Sequence, residues 1–374
     1  MKTNKLFLSL IIFLFCINTF GQRTCGSDLN LIELQQTDIA RYQQIISHEN
    51  QLQIYLENTS VQSTPQTTII IPVVVHVIYN NNAQNISDAQ INSQIEVLNE
   101  DFRRLNTDKT DTPIAFANVA GNPNFEFKLA KIDPNGNLTN GITRTLTTKN
   151  SFSHEIEDMK YTNAGGYDAW NTQKYLNIWV CNFSNSLLCG YAQFPDKLES
   201  NPNTDGVVIS YKYFGRNGSA ESPYNKGRTA THEVGHWLDL YHIWGDANNC
   251  SATDFVTDTP NQYTKSSSCP SFPKTDICTS TSPGIMFMNY MDYTNDACMN
   301  MFTNGQITRM RALFDTQIGI RKQMLAAAEY ITNPPTISGA SHFCTTGIFS
   351  VNNLPVEAII SDIRTSNSFL TTSL

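Results

Sequence analysis

Charge is scarce in this chain. Only 16% of its 374 residues are Asp, Glu, Lys or Arg, and 33 acidic residues outnumber 25 basic ones, for a net charge of −8. No Lys/Arg cluster interrupts that balance, which excludes an electrostatic nucleic-acid surface. Long apolar runs are also rare. The one at residues 6–17 is shorter than the roughly 20 residues that span a bilayer. Lys2 and Lys5 precede it and Thr19-x-Gly21 follows it, the three-part layout of a secretory signal peptide over residues 1–21. The chain is therefore expected to be secreted, with no membrane attachment after cleavage. No internal repeat is present.

Cysteine is plentiful by comparison, with nine residues. Disulfides persist outside the cytosol, so the six between residues 181 and 298 read as a bonded set: Cys181, Cys189, Cys250, Cys269, Cys278 and Cys298. Cys16 falls in the signal peptide, Cys25 just after it and Cys344 in the tail.

Residues 28–57 read as a polar helix, and the NTSVQSTPQTT that follows has linker composition, placing a boundary near residue 65. The β-branched run IIIPVVVHVIY at 69–79 predicts a buried central strand with Pro72 near its start. Ser87 and Gln90 have capping-box spacing, opening a helix with Ile91, Ile95, Leu98, Phe102 and Leu105 on one face. Further strands are expected at 125–132, 175–181 and 206–214. IWVCNFSNSLLCGYAQF reads as strand, turn, strand, which would set Cys181 and Cys189 across a hairpin. After an irregular stretch, a last helix is expected at 304–329. The class is α+β with two subdomains.

Histidine is the rarest of the chemistry-bearing residues. There are seven, and three lie in HEVGHWLDLYH, residues 232–242. His232 and His236 are four apart and share a helix face, so both can reach one ion. Zinc takes imidazole nitrogen and, for catalysis, wants a third protein ligand and an open position. Glu233 is placed to work on a water instead of holding metal. His242 is the candidate third ligand. On a continuous helix it would lie about 600° around and about 9 Å along from His236, so it converges only if the helix stops and the chain turns back.

HEVGHWLDLYHIWG resembles the zinc motif of the metzincins, and within them the pappalysin family of peptidase family M43. The family motif carries Gly where this chain has Asp239. The turn there needs a left-handed backbone, which Asp tolerates better than most non-glycine residues. NYMDYTNDACMNMF is similar to the family's Met-turn segment. The resemblance implies that Met291 forms an apolar floor under the imidazoles and that Tyr293 assists catalysis. It also implies an N-terminal twisted mixed sheet with two long helices, an irregular disulfide-rich C-terminal subdomain, and the pairs Cys250–Cys278 and Cys269–Cys298. Cys181–Cys189 is then left by elimination. Structural calcium is implied as well, with Asp254, Asp258 and Thr259, or Asp246, as oxygen donors. RTCGSD at 23–28 resembles the cysteine-switch segment of pappalysin proenzymes, so Cys25 would hold zinc in a latent form.

The expected organisation is signal peptide 1–21, propeptide 22–65, catalytic domain 66–330, and the start of an Ig-like module at 331–374. The expected function is a secreted, monomeric zinc endopeptidase acting on proteins or peptides. GVVISYKYF would form the cleft's upper edge, and Asp292 or Asp296 would attract a basic substrate side chain. A non-catalytic, zinc-stabilised binding or adhesion protein is the alternative.

Overall fold

The computed structural model describes residues 24–27, 31–58, 67–198, 200–315, 319–334, 336–339, 349–352, 363–365 and 368–370. The expected signal peptide, residues 59–66 of the expected linker and much of the tail lie outside the described residues. In chain order the elements are β1 (Thr24–Cys25), α1 (Leu31–Thr37), α2 (Ile39–Asn58), β2 (Ile69–Tyr79), α3 (Asp88–Asp101), β3 (Phe125–Leu129), β4 (Ile142–Leu146), β5 (Leu176–Cys181), β6 (Leu188–Ala192), β7 (Val207–Ser210), α4 (Arg228–Trp237), α5 (Asn304–Ala312) and α6 (Gln323–Thr332). Two short antiparallel pairs follow, β8 (Thr336–Gly339) with β9 (Phe349–Asn352) and β10 (Ile363–Thr365) with β11 (Ser368–Leu370).

β2 is the centre of the sheet. Its run of Ile and Val suits a strand covered on both faces. Val73, Val75 and Val77 pack toward α3 and α4, while Val74 meets Ile331 of α6, as a period of two requires. The strand is parallel to β3 along its first half, β4 along its second half and β5 on the other side. Pro72 falls one residue before the β5 pairing begins at Val73. β4 was not foreseen. Its alternate residues are half-exposed or exposed, so ITRTL has no apolar signature to announce it.

Ser87 caps α3 by accepting from the Gln90 N–H. The Gln90 side chain does not return the bond; it donates to Phe214 O and tethers the 214–219 loop. The helix ends at Asp101, which leaves Leu105 exposed instead of on the apolar face. The expected last helix is two, α5 and α6.

The sheet order is β1-β6-β7-β5-β2-β3, with β6 antiparallel to β7 and the other pairs parallel. β7 therefore lies between β5 and β6, and this overturns two expectations. Cys181 pairs with Ser210 of β7, and Gly190, next to Cys189, pairs with Ile209. Two strand spacings, about 10 Å, separate the cysteines, beyond the ~7 Å Cα limit of a disulfide. Cys181 and Cys189 are not bonded to each other. β7 is not an edge, because it is paired on both sides; β6 lies beyond it and is covered in turn only by the two-residue β1. The other two disulfides are present as expected, Cys250–Cys278 and Cys269–Cys298. Alkylating the denatured, unreduced protein should label Cys181 and Cys189 and spare those four; a peptide linking 181 to 189 in a non-reduced digest would refute the strand order.

Candidate metal centre

α4 is fixed at both ends before it contributes a ligand. At its start, Asp296 Oδ2 accepts from Lys226 N and Arg228 N at 2.9 and 3.1 Å, satisfying first-turn donors with an anion. Arg228 reaches Asp108, Asp101 and the Asp296 carbonyl, while Thr231 and Tyr290 also donate to Asp101. At its end, Leu240 N donates to Gly235 O at 3.0 Å and Asp239 N to His236 O at 2.9 Å. That pair of bonds is a Schellman termination. Asp239 occupies its left-handed position with φ +71°, as the turn requires. Arg321 seals the same end, donating to Trp237 O and pairing through both Nη atoms with Asp205 at 2.9 Å.

The reversal brings His242 back to the helix. The three Nε2 atoms stand 3.1 Å (232–242), 3.2 Å (232–236) and 3.0 Å (236–242) apart, all buried. Each Nδ1 faces an acceptor: Tyr290 O at 2.6 Å for His232, Leu240 O at 2.7 Å for His236, and the Asp246 carboxylate for His242. Those partners hold the proton on Nδ1 and leave three Nε2 lone pairs aimed at one another. Such contacts are not hydrogen bonds. Tetrahedral zinc with N at 2.0–2.1 Å sets its ligands about 3.3 Å apart, so the donor set fits that ion. Burial and the nearby His242 ring hold His236 well below its ordinary pKa, keeping it neutral as a ligand must be. Trp244 lies flat against His242, ring centroids 4.3 Å apart.

Met291 is fully buried beneath the helix. A Cβ on Gly235 would come within 2.4 Å of its sulfur, so the glycine of HEVGH is what admits the Met-turn. Tyr293 is buried with its ring 4.9 Å from His242.

Cys25 completes the group. Its sulfur and the three imidazoles offer ligand atoms within 4.8 Å of one another, and Sγ is 3.1 Å from Glu233 Oε2. The segment lies on the β6 edge, with Gly26 N donating to Gly190 O at 2.9 Å and Cys25 N to the Tyr293 hydroxyl at 3.3 Å. Ser27, which the sequence did not single out, accepts from Ala192 N at 2.8 Å and lies 3.3 Å from Glu233 Oε2.

Of the oxygen-ligand candidates, Asp254 and Thr259 come together, while Asp258 and Asp246 lie elsewhere. Asp254 accepts from the Thr259 hydroxyl and Val256 N. Asp258 faces away, accepting from Thr303 Oγ1 at 2.6 Å and Gly305 N at 2.8 Å at the start of α5. Asp246 serves His242 instead. Asp292 is buried against Gln262 and Ser266 N, and Asp296 Oδ2 accepts at the start of α4. Burial raises Asp254 to about 7 from an ordinary 3.8, more than its hydrogen bonds offset. Folding then favours its protonated form, so stability should fall as pH rises from about 4 to about 7. Asp254→Asn is expected to raise the melting temperature at pH 8 and leave it unchanged near pH 4; a pH-independent difference would show an ordinary carboxyl.

Comparison with known proteins agrees with this geometry. The family model Peptidase_M43, described as pregnancy-associated plasma protein-A, matches residues 159–315. An extracellular metalloprotease of Arthroderma gypseum is 32% identical over 311 residues, covering 80% of this chain and 86% of its own. Extracellular metalloprotease 1 of Coccidioides posadasii is 32% identical over 273 residues, 69% of this chain and 82% of its own. Among solved structures, a glutamate-to-alanine mutant of Tannerella forsythia promirolysin is 64% identical with a TM-score of 0.80, over 83% of this chain and all of that one. Mature mirolysin in complex with a cleaved peptide, from the same organism, is 69% identical with a TM-score of 0.71, over 72% of this chain and all of that one. The chain accordingly belongs to the peptidase M43, or pappalysin, family of metalloproteases.

Proposed function

We propose that this chain is an extracellular zinc endopeptidase made as a latent precursor, with His232, His236 and His242 as zinc ligands and Glu233 as general base. The observation that carries the reading is the convergence of three Nε2 lone pairs with a carboxylate beside them. Zinc held there supplies Lewis acidity, polarising the peptide carbonyl and lowering the pKa of the attacking water. Glu233 takes the water's proton and passes it to the departing amine. The Tyr293 hydroxyl, next to His242, donates to the carbonyl oxygen as it gains charge. An extended substrate pairs with the β6 edge through groups such as Gly190 O and Ala192 N, the positions the 24–27 segment now uses.

That overlap supports latency. Cys25 takes the position opposite the imidazoles, Ser27 engages Glu233, and β1 covers the edge a substrate needs. Residues 1–21 are read as signal peptide, 22–65 as propeptide, 66–330 as the catalytic domain, and 331–374 as the opening of an Ig-like module. Calcium is proposed at the Asp254 loop, where the Asp254 carboxyl and the Thr259 hydroxyl offer adjacent oxygens; bound calcium would abolish the pH dependence expected of Asp254.

Glu233→Ala should keep one zinc per chain and the native melting temperature while losing peptidase activity by about 10²–10⁴-fold. Casein cleavage at the native rate by the purified variant would reject Glu233 as base. Cys25→Ala should make the unprocessed chain active, judged by casein cleavage before any N-terminal trimming. Undiminished latency would discard the thiol as the blocking group.

A further inference from the structure

The convergence of His242 with the helix requires the left-handed turn at Asp239, and no glycine is there to make it easy. A non-glycine residue in that region persists where its surroundings over-determine it. Here the main contact is one side chain, Arg309, with His48 Nε2 also 3.5 Å from Asp239 Oδ2. Arg309 of α5 is fully buried and lies 70 residues downstream. Its Nε donates to the Asp239 carbonyl oxygen, and its Nη2 to Asp239 Oδ2 at 2.8 Å. A single guanidinium thus grips both the backbone and the carboxylate of the residue that turns the chain. Its remaining donors meet Glu49 of α2, with Nη1 2.7 Å from Oε2. The Tyr241 hydroxyl donates to the same carboxylate at 3.2 Å.

We propose that Arg309 is a positioning residue for the zinc site: it clamps Asp239 in the left-handed conformation that glycine would otherwise supply, and so fixes where His242 presents Nε2. The N-terminal helix α2 docks on the same clamp through Glu49. The proposal rests on the reading of His232, His236 and His242 as zinc ligands. A buried ion pair of purely structural use would also stabilise the fold, so stability alone does not test the clamp. What distinguishes it is that glycine at 239 makes Arg309 dispensable.

The test uses the full chain processed to its active form. Zinc affinity is measured by competition with a chelator, with kcat and KM alongside. Arg309→Met should weaken zinc binding about 10- to 100-fold, the usual effect of losing an outer-shell partner, and lower kcat with little change in KM. The double variant Asp239→Gly/Arg309→Met should regain most of that affinity. Glycine enters the left-handed region without steric cost, the Asp239 carboxylate is gone, and Glu49, the other carboxylate that loses Arg309, leaves with the 22–65 segment in the processed form. A folded Arg309→Met protein that binds zinc like the wild type overturns the clamp. If the single variant does not fold, the double decides: a folded double with near-native zinc affinity supports the proposal, and one that is unfolded or binds weakly overturns it. A wild-type protein without zinc affinity would instead remove the zinc reading itself, so the two failures are distinguishable.

Discussion

The site depends on one backbone event, the reversal of the chain within three residues of His236. An uninterrupted helix would carry His242 away from the other imidazoles. The Schellman bonds from Asp239 N and Leu240 N stop α4, and the left-handed Asp239 sends the chain back. Much of the buried polar structure serves that short helix. Asp296 caps its start, while Arg309 and Arg321, reaching in from beyond the irregular half, bind the carbonyls at its end. Acid at the N-terminus and base at the C-terminus is the arrangement the helix dipole favours. Desolvating these guanidiniums is costly, and carboxylates at 2.7–2.9 Å offset the cost.

On the proposed reading, latency would use the groups the reaction needs. The 24–27 segment meets the metal-facing position, Glu233, Tyr293 and the β6 edge at the same time, and α2 adds Glu49 beneath the motif. Four residues of extended chain would bind weakly alone, because ordering them costs conformational entropy. α2 supplies further attachment: Ile45 packs with Phe194 and Tyr241, and Phe194 in turn lies 5.2 Å, ring to ring, from His236. α2 and the 24–27 segment thus both reach the HEVGH region, and each raises the effective concentration of the other.

What was legible in the sequence was local. β2 declared itself through eleven residues of β-branched pattern. His232 and His236 did so by helical spacing, and Ser87 by its place before a periodic run. His242 could be named because the turn it needs lies within six residues of His236. Non-local order could not be read. Nothing in the segment 175–192 reveals that residues 207–210 insert between its two strands, and that insertion separated Cys181 from Cys189. β4 was missed because a half-exposed strand alternates too weakly. Arg309 looks like any charge on a short polar helix until the fold brings it to Asp239. Asp246 was read as a hard-cation ligand because its chemistry suits one, yet distance assigns it to His242 Nδ1.

Asp246 also bears on why the site is buried so completely. Two of the three imidazoles give their Nδ1 protons to backbone carbonyls and the third gives its proton to a carboxylate. That makes His242 the most basic donor of the set. Glu233 and Asp246 bring two carboxylates to the buried pocket that holds the three imidazoles. Under the proposed reading, a dication bound there would be offset by those two carboxylates. Buried carboxylates are less costly beside a cation than alone, so on that reading the enclosure favours the ion. Metal affinity and the tight packing of Trp244, Met291 and Tyr293 around the rings are then two aspects of one low-dielectric site, and the reversal at Asp239 is what allows it to close.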